Sequence, residues 1–479
     1  MATEVDKSTF LKIFTTVFLP MFLAAVDQTL LATATPNIVR ELGNLPLSSW
    51  IAIGYMLAGA ATVPIYGWLG DLFGRKNMLL MALGIFALGS VCCALSTSME
   101  WLVINRVVQG IGSGGLMILS QALIGEWVAP RQKAKYQGYF SSLFALSSMG
   151  GPVLGGFIVT YLNWHWLFWL NLPLIGIAVY RLARTSTAQI PRTQRSLDLL
   201  GLMLFPVMTT LLIYWLSSGG HYFAWRSDTS YLLAGTFIVV AVIFVFQQRR
   251  VKDSFLPLGL LKQKIIYRPL RSSFIFAACL FSLAFFLPIF LQIVLHLEPA
   301  EAGVHMIPMS AGIITGSYCT GKWIGRTGVP KYLPVMGFTL SATMFLLLGT
   351  CPLSPWVISL LALGCGLGLG TVMPSTQVTI QTVSGKANLG RITAMAGLCR
   401  SLGGSVGTAL FGTLIYSLIP NFDVNHSLTA LLSAPHEEVV QAFQTAFKIA
   451  AVLAIVGACN AASVPRIHLD DFSFEVGIK

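Results

Sequence analysis

Long apolar runs recur from one end of this chain to the other, separated by short polar connections. Each run is long enough to cross ~30 Å of hydrocarbon at ~1.5 Å per residue. Hydrocarbon offers the backbone no hydrogen bonds, so these runs must close their own bonds as helices. Of 479 residues, 55% are hydrophobic and 10% charged, against about 25% charged in an ordinary soluble domain. The chain is therefore expected to meet lipid along most of its length.

The pattern predicts spans at Ile13–Ile38, Trp50–Leu69, Met78–Ser96, Trp101–Ile124, Tyr136–Thr160, Trp166–Ala183 and Leu199–Ser217. It predicts seven more at Tyr231–Phe246, Ser273–Leu295, Val304–Ile324, Tyr332–Leu348, Trp356–Met373, Ile392–Leu418 and Phe443–Ala462. The net charge of +12 would suit a nucleic-acid partner only if it formed one patch. Instead the basic residues occupy alternate connections: Arg75 and Lys76, Arg131 to Lys135, Arg184 to Arg195, Arg249 to Arg268, Arg326 and Lys331, Lys386 and Arg391. This bias orients a helical membrane protein with both termini in the cytoplasm. The opposite connections carry Glu41, Glu100, Glu298, Glu301, Glu437 and Glu438, with Trp50, Trp101, Trp164, Trp225 and Trp356 at the helix ends as an interfacial belt. The eight cysteines lie inside apolar runs with no CxxC pairing, so neither a metal site nor a disulfide framework is expected. The first run is too long for a signal-peptide core and is read as retained.

An internal repeat organises the spans. A displacement of 254 residues carries Gly67 and Gly74 onto Gly321 and Gly328, and Gly110, Gly112 and Gly114 onto Gly364, Gly366 and Gly368. Two similarly built halves in parallel orientation follow, of six helices each. The expected organisation is a first bundle over 1–184, an inserted helix pair with its linkers over 185–268, and a second bundle over 269–479.

Within this frame, Asp27 is a carboxylate well inside a predicted span, about 14 residues and roughly 21 Å from its start. Such a charge costs on the order of 2.5–3.5 kcal/mol on insertion scales. Facing a water-filled cavity or accepting a proton would each lower that cost; a structural hydrogen bond to a neighbouring helix is the other reading. Arg106 is the matching base in the fourth span, suited either to tuning a nearby carboxyl or to holding helices through backbone carbonyls. At the repeat displacement, Asp27 and Arg106 become Phe281 and Leu360, so titratable chemistry is assigned to the first half. In the loop Gly67 to Lys76, Asp71 is placed to meet a helix N-terminus or an arginine across the halves, unless the loop only sets topology. Gly74 permits a tight turn there and Arg75 follows it. Gly151, Pro152, Gly155 and Gly156 in the fifth span suit close helix packing or a hinge. Gln292, Gln377 and Gln381 are polar candidates for a substrate cavity or for bonds between helices, and Arg400 needs a polar partner that the sequence does not supply.

These segments resemble known signatures. Gly67 to Lys76 resembles the major-facilitator loop G-x-L-x-D-x-x-G-R-K, Arg106 to Gly110 the R-x-x-Q-G motif, and Gly151 to Gly156 the antiporter signature G-P-x-x-G-G. Ala25 to Thr29 and Trp164 to Pro173 are similar to motifs of the fourteen-helix drug:proton antiporters of the major facilitator superfamily, with His165 in place of the usual arginine. The resemblance implies an all-α integral membrane protein of the major facilitator fold, with two six-helix bundles plus two inserted helices. It implies proton-driven export of hydrophobic or monocationic amphipathic compounds from the bacterial cytoplasm, with the gating loop at Gly67, Asp71, Gly74 and Arg75. No cofactor beyond the proton gradient is implied, and a periplasmic adaptor is left open by the short loop Pro420 to Gln444. A carrier for a specific metabolite, lipid or siderophore on the same fold is the alternative. A membrane enzyme would need a convergent nucleophile, base or metal site, and no such cluster is visible at depth.

Overall fold

The computed structural model describes residues 7–44, 47–128, 154–185, 198–219, 225–251, 258–350, 354–385, 388–418 and 435–471, with single positions at 139, 143, 147, 151 and 223. Helices account for nearly all of them. In chain order they are α1 (Lys7–Leu42), α2 (Ser48–Phe73), α3 (Arg75–Ala94), α4 (Met99–Trp127), α5 (154–161) and α6 (Asn171–Arg184). An inserted pair follows, α7 (Leu199–Ser218) and α8 (Asp228–Arg250), and then α9 (Lys264–Ile293), α10 (Pro299–Thr327) and α11 (Tyr332–Leu348). The chain closes with α12 (Pro355–Ser384), α13 (Leu389–Ser417) and α14 (His436–Ala462).

Each of the fourteen expected spans thus holds a helix, the fifth described only in part. Ten are long and apolar enough to cross a membrane, with shorter apolar stretches in α1 and α11. α10 runs for 29 residues but carries Glu301, His305, Ser310, Thr315, Ser317 and Lys322 among its apolar residues. α8 runs for 23 residues, longer than the hydropathy pattern suggests, because polar residues at both ends extend the helix beyond its apolar middle. The sixth span opens with a single turn (Trp166–Trp169) that continues through Leu170, itself in helical conformation (φ −60°, ψ −28°), into α6.

Helix ends are set by local chemistry. Ser98, Ser227 and Ser354 accept hydrogen bonds from backbone amides three residues on, at 3.3, 3.3 and 3.4 Å, supplying groups that the first turn leaves unmatched. Gly74 joins α2 to α3 with a φ of 91° and Gly328 ends α10 with a φ of 69°. Both values favour glycine.

Two buried clusters belong to α1–α6 with their short connections, and another to α9–α14. α7 and α8 pack on each other, and α7 also lies against α2 and α13 together. The inserted pair is therefore more than a tether: Phe205 and Phe244 join Trp68, Ile266, Ile392 and Met395 in one buried cluster.

The two halves repeat, but not in a single register. Gly110 on α4 presses on the Tyr55 carbonyl of α2, and Gly366 on α12 presses on the Met309 carbonyl of α10. Gly112 meets Ala82 and Phe86 of α3, whereas Gly368 meets Gly337 and Ser341 of α11; Gly114 meets Gly59, and Gly370 meets Ile313. The structural partners of Gly110, Gly112 and Gly114 are therefore Gly366, Gly368 and Gly370. The displacement is 254 for α2, 255 for α3 and 256 for α4, each connection in the second half being one residue longer. The uniform displacement read from sequence is corrected accordingly, and the counterpart of Arg106 becomes Ala362. The second half still lacks both charges.

Close glycine contacts carry this packing, since small residues let helix backbones approach within lipid. Gly366→Val is expected to lower the thermal stability of the detergent-solubilised protein by ~1–3 kcal/mol through overpacking. Gly84→Ala, beside which a methyl group meets open space, should be neutral or stabilising by up to ~1 kcal/mol. Equal losses at the two positions in thermal-unfolding curves would contradict the packing described.

Candidate functional site

A fully buried polar group is assembled from five helices of the first half. Asp27 stands on α1, and Arg106 and Gln109 lie one turn apart on α4, so both reach the same point. Arg106 Nη1 donates to Asp27 Oδ2 at 2.5 Å, while Gln109 Nε2 and Asn171 Nδ2 both donate to Oδ1 at 3.1 Å. Ser90 Oγ on α3 accepts from the same two amides, at 2.8 and 3.3 Å. The guanidinium also donates to the Ile51 carbonyl of α2 at 3.1 Å and to Gln109 Oε1 at 2.6 Å, and it stacks 4.1 Å over the Tyr55 ring. Asn171 is the first residue of α6, and its place on the inward side of that helix brings the amide to the carboxylate.

Asp27 and Arg106 are 3% and 1% exposed. The burial cost of Asp27 is met by a buried ion pair with amide support inside one bundle, not by a water-filled cavity. Removing one member of such a pair leaves an uncompensated charge, a loss of ~3–5 kcal/mol. Sequence reading named Asp27 and Arg106 but passed over Gln109, Asn171, Ser90 and Tyr55. Gln109 and Asn171 nonetheless lie within the R-x-x-Q-G segment and the Trp164 to Pro173 segment that carry the family resemblance.

A second centre lies where α2 meets α3 and α12 meets α13, at the end of the bundle that carries Arg75, Lys76 and Arg391 (the basic end). Asp71 Oδ1 and Oδ2 accept from the backbone amides of Gly390 and Arg391, at 2.9 and 3.0 Å. These amides belong to the first turn of α13, whose unmatched N–H groups and dipole favour a carboxylate. Arg75 bridges Asp71 at 2.6 Å and Glu126 at 2.7 Å, with Arg391 Nε 3.9 Å from Asp71. Both arrangements considered for Asp71, a helix N-terminus and an arginine across the halves, are thus present together. Glu126 was not anticipated from sequence.

Gly67 makes the contact between halves close enough. A methyl group there would come within 2.6 Å of both the Ala394 Cβ and the Gly390 carbonyl oxygen. Further along, Gln377 Nε2 on α12 donates to Gln121 Oε1 on α4 at 3.1 Å, and Gln381 Nε2 donates to Thr393 Oγ1 at 2.7 Å. All four are buried. Gln377 therefore belongs to the closed seam between bundles in this conformation, and Gln381 ties α12 to α13 within the second bundle; neither faces an open cavity. Gln292 is half-buried one residue from the far end of α9, away from both.

The glycines of the fifth span separate. Gly151 and Gly155 are buried, but a methyl group on Gly156 would meet open space, so no close helix approach occurs there. Pro152 lies outside the described residues. Gly403 and Gly407 on α13 do pack against the backbone of α9 at Phe274 and Ala278. Arg400, whose partner the sequence left open, directs Nη2 at the Met117 sulfur of α4 at 3.5 Å.

Two helical bundles joined through an inserted pair, meeting at one end around a polar seam, define a multi-pass membrane transporter. Residues 17–408 match the family model of the Major Facilitator Superfamily, and the chain belongs to that family. Among relatives, it is 33% identical to an MFS-type transporter of Mycobacterium tuberculosis over 97% of this chain and 71% of that protein. It is 32% identical to the multidrug transporter protein MdtP of Bacillus subtilis, covering 91% of this chain and 81% of that protein. Multidrug resistance protein 3 of the same organism is 29% identical over 84% and 79% of the two chains. These likenesses put the sequence in the multidrug efflux branch of the superfamily. In fold, it is similar to the human organic anion transporter MFSD10 (TM-score 0.66, 16% identity, 94% of this chain and 99% of that one) and to the proton:xylose symporter XylE (TM-score 0.66, 14% identity, 98% and 99%). The family and fold are those of transporters and not of enzymes.

Arg106→Gln should lower thermal stability by ~3–5 kcal/mol, and Asp27→Asn combined with it should recover part of that loss because the pair then disappears together. Strictly additive losses in a double-mutant cycle would show that the two side chains do not interact.

Proposed function

We propose that this protein is a proton-driven antiporter that exports amphipathic compounds across the cell membrane by alternating access. The observation that carries the reading is the Asp27–Arg106 pair, an ionisable couple buried where lipid surrounds the bundle. Ionisable residues at such depth are costly and accompany ion and proton pathways in membrane proteins. The efflux names of the relatives supply the direction of transport.

The basic end faces the cytoplasm by the charge bias of the connections, which places both termini inside. The conformation described here, closed at that end, is then outward-facing. In the proposed cycle a proton from outside neutralises Asp27, which releases Arg106 from its carboxylate while the Ile51 carbonyl and Gln109 still hold it. α4 carries Arg106 and Gln109 toward the buried pair and Met117 and Gln121 toward the seam, so a shift of this one helix reaches both. Opening inward breaks the contacts of Asp71 with the first turn of α13. A proton moving inward gains ~2.3 kcal/mol per 100 mV of membrane potential, and this gradient supplies the energy without a further cofactor. Asp27 is sealed in the present conformation, so the cycle requires another in which water reaches it.

Substrate-induced proton release by the purified protein, measured across a compound panel, tests the coupling. Asp27→Asn should abolish uphill, pH-gradient-driven export in proteoliposomes while substrate binding survives. Undiminished uphill export in that variant would refute the role of Asp27. Asp71→Ala should shift the population toward the inward-open form, seen as faster alkylation of a cysteine replacing Gln377, buried in the seam; unchanged labelling would remove Asp71 as a latch.

A further inference from the structure

Arg400 is a charge that the cycle above leaves unused. It lies eleven residues into α13 from Leu389, roughly 16 Å along the helix. Its neighbour Met117 lies ten residues before the end of α4 at Trp127, roughly 15 Å from the same end of the bundle. Both therefore sit near the middle of a ~30 Å hydrocarbon layer.

The burial pattern of α13 shows where this side chain stands relative to the seam. Residues 389–398 are buried one after another, whereas Cys399, Arg400, Ser401 and Leu402 are half-buried. One turn earlier, a methyl group on Gly397 would press on Ile118 at 2.8 Å and Val63 at 3.4 Å. Toward the basic end come the Gln121–Gln377 bond and then the Gly67–Gly390 contact with Asp71. Arg400 thus stands half-buried on the first turn of α13 beyond the closed stretch, facing α4 across the halves.

Its protein partner is inadequate for a guanidinium. A thioether is a weak acceptor, and arginine presents five N–H donors in a rigid fork. Among the described residues no carboxylate answers it. Asp27 is engaged by Arg106, Gln109 and Asn171 inside the first bundle, and Asp71 and Glu126 are engaged at the basic end. An arginine at this depth without a counter-charge is costly, and the neighbour it reaches on α4 is the apolar side chain of Met117, with Ile118 and Val63 one turn away beside Gly397.

We infer that Arg400 is the anion-binding residue of the substrate site, and that the exported compounds include amphipathic organic anions. A carboxylate or sulfonate would take both prongs of the guanidinium fork, with the apolar body against Met117, Ile118 and Val63. This rests on the antiport reading and replaces the monocationic substrate implied by family resemblance, since a monocation beside Arg400 meets an uncompensated positive charge. It also changes the energetics. A proton entering and a monoanion leaving both carry positive charge inward, so the exchange is driven by the membrane potential on both legs, whereas one proton for one monocation is electrically silent.

Fluorescein and rhodamine 123 share a xanthene core and differ in charge, the first anionic and the second cationic. Binding of each to the purified full-length protein is read by fluorescence anisotropy, and transport by dye accumulation in proteoliposomes under a proton gradient with and without a membrane potential. Wild-type protein should bind fluorescein more tightly than rhodamine 123. Arg400→Gln should weaken fluorescein binding by about ten-fold or more, as expected for loss of a desolvated charge pair, with little change for rhodamine 123. Arg400→Lys, which keeps the charge without the fork, should retain part of the affinity. A wild-type preference for rhodamine 123, or equal fluorescein affinity in wild type and Arg400→Gln, overturns the inference; the wild-type comparison stands even if the glutamine variant misfolds. Arg400-dependent binding without proton-driven accumulation would leave the anion site intact and remove the antiport reading alone.

Discussion

Hydrocarbon supplies neither donors nor acceptors, and the organisation of this protein follows from having to satisfy every polar group internally. The backbone meets the demand through helices, and the helices meet each other through glycines that bring one backbone against the next. Polar side chains meet it by gathering. The carboxylate of Asp27 draws two amides and a guanidinium from different helices, and Asp71 draws the open N–H groups at the start of α13. Among the described residues, Arg400 finds a thioether where a guanidinium calls for oxygen acceptors.

The two halves divide the work unequally. Both repeat the same glycine-mediated packing of their second, third and fourth helices, each register slipping by one residue per connection. The first half alone adds a buried ion pair, and the second contributes the helix N-terminus that receives Asp71. α4 takes part in both centres, its Arg106 and Gln109 in the buried pair and its Met117 and Gln121 at the seam. A rigid helix shared by two polar centres is a physical route by which protonation at one could bias the other, because its displacement is felt at both.

Much of the candidate site was legible from residue chemistry. Asp27 and Arg106 stood out because a charge in a long apolar run demands a partner, and each supplied the other's. Asp71 stood out because a carboxylate beside a glycine turn needs amides or a cation, and it found both. Gln377 and Gln381 show the limit of this reasoning. A glutamine inside a span signals a polar partner but does not reveal whether that partner is a substrate, a water or another helix. Gln109 and Asn171 carry no charge, so their weight in the Asp27 network follows only from where α4 and α6 bring them. Gly156 has the composition of a packing residue, yet open space lies beside it.

The linear sequence by itself determined the helical membrane architecture, the two-fold repeat and the residues that lipid would not tolerate unpaired, because transfer into hydrocarbon depends on residue type and run length alone. Only the tertiary structure decided which groups satisfy which, that the bundles close at the basic end, that the α4 register shifts by two residues from the α2 register, and that Arg400 faces a sulfur where a carboxylate could have stood. Those outcomes depend on distances between segments hundreds of residues apart, and such distances are set by how helices pack, not by what each one contains.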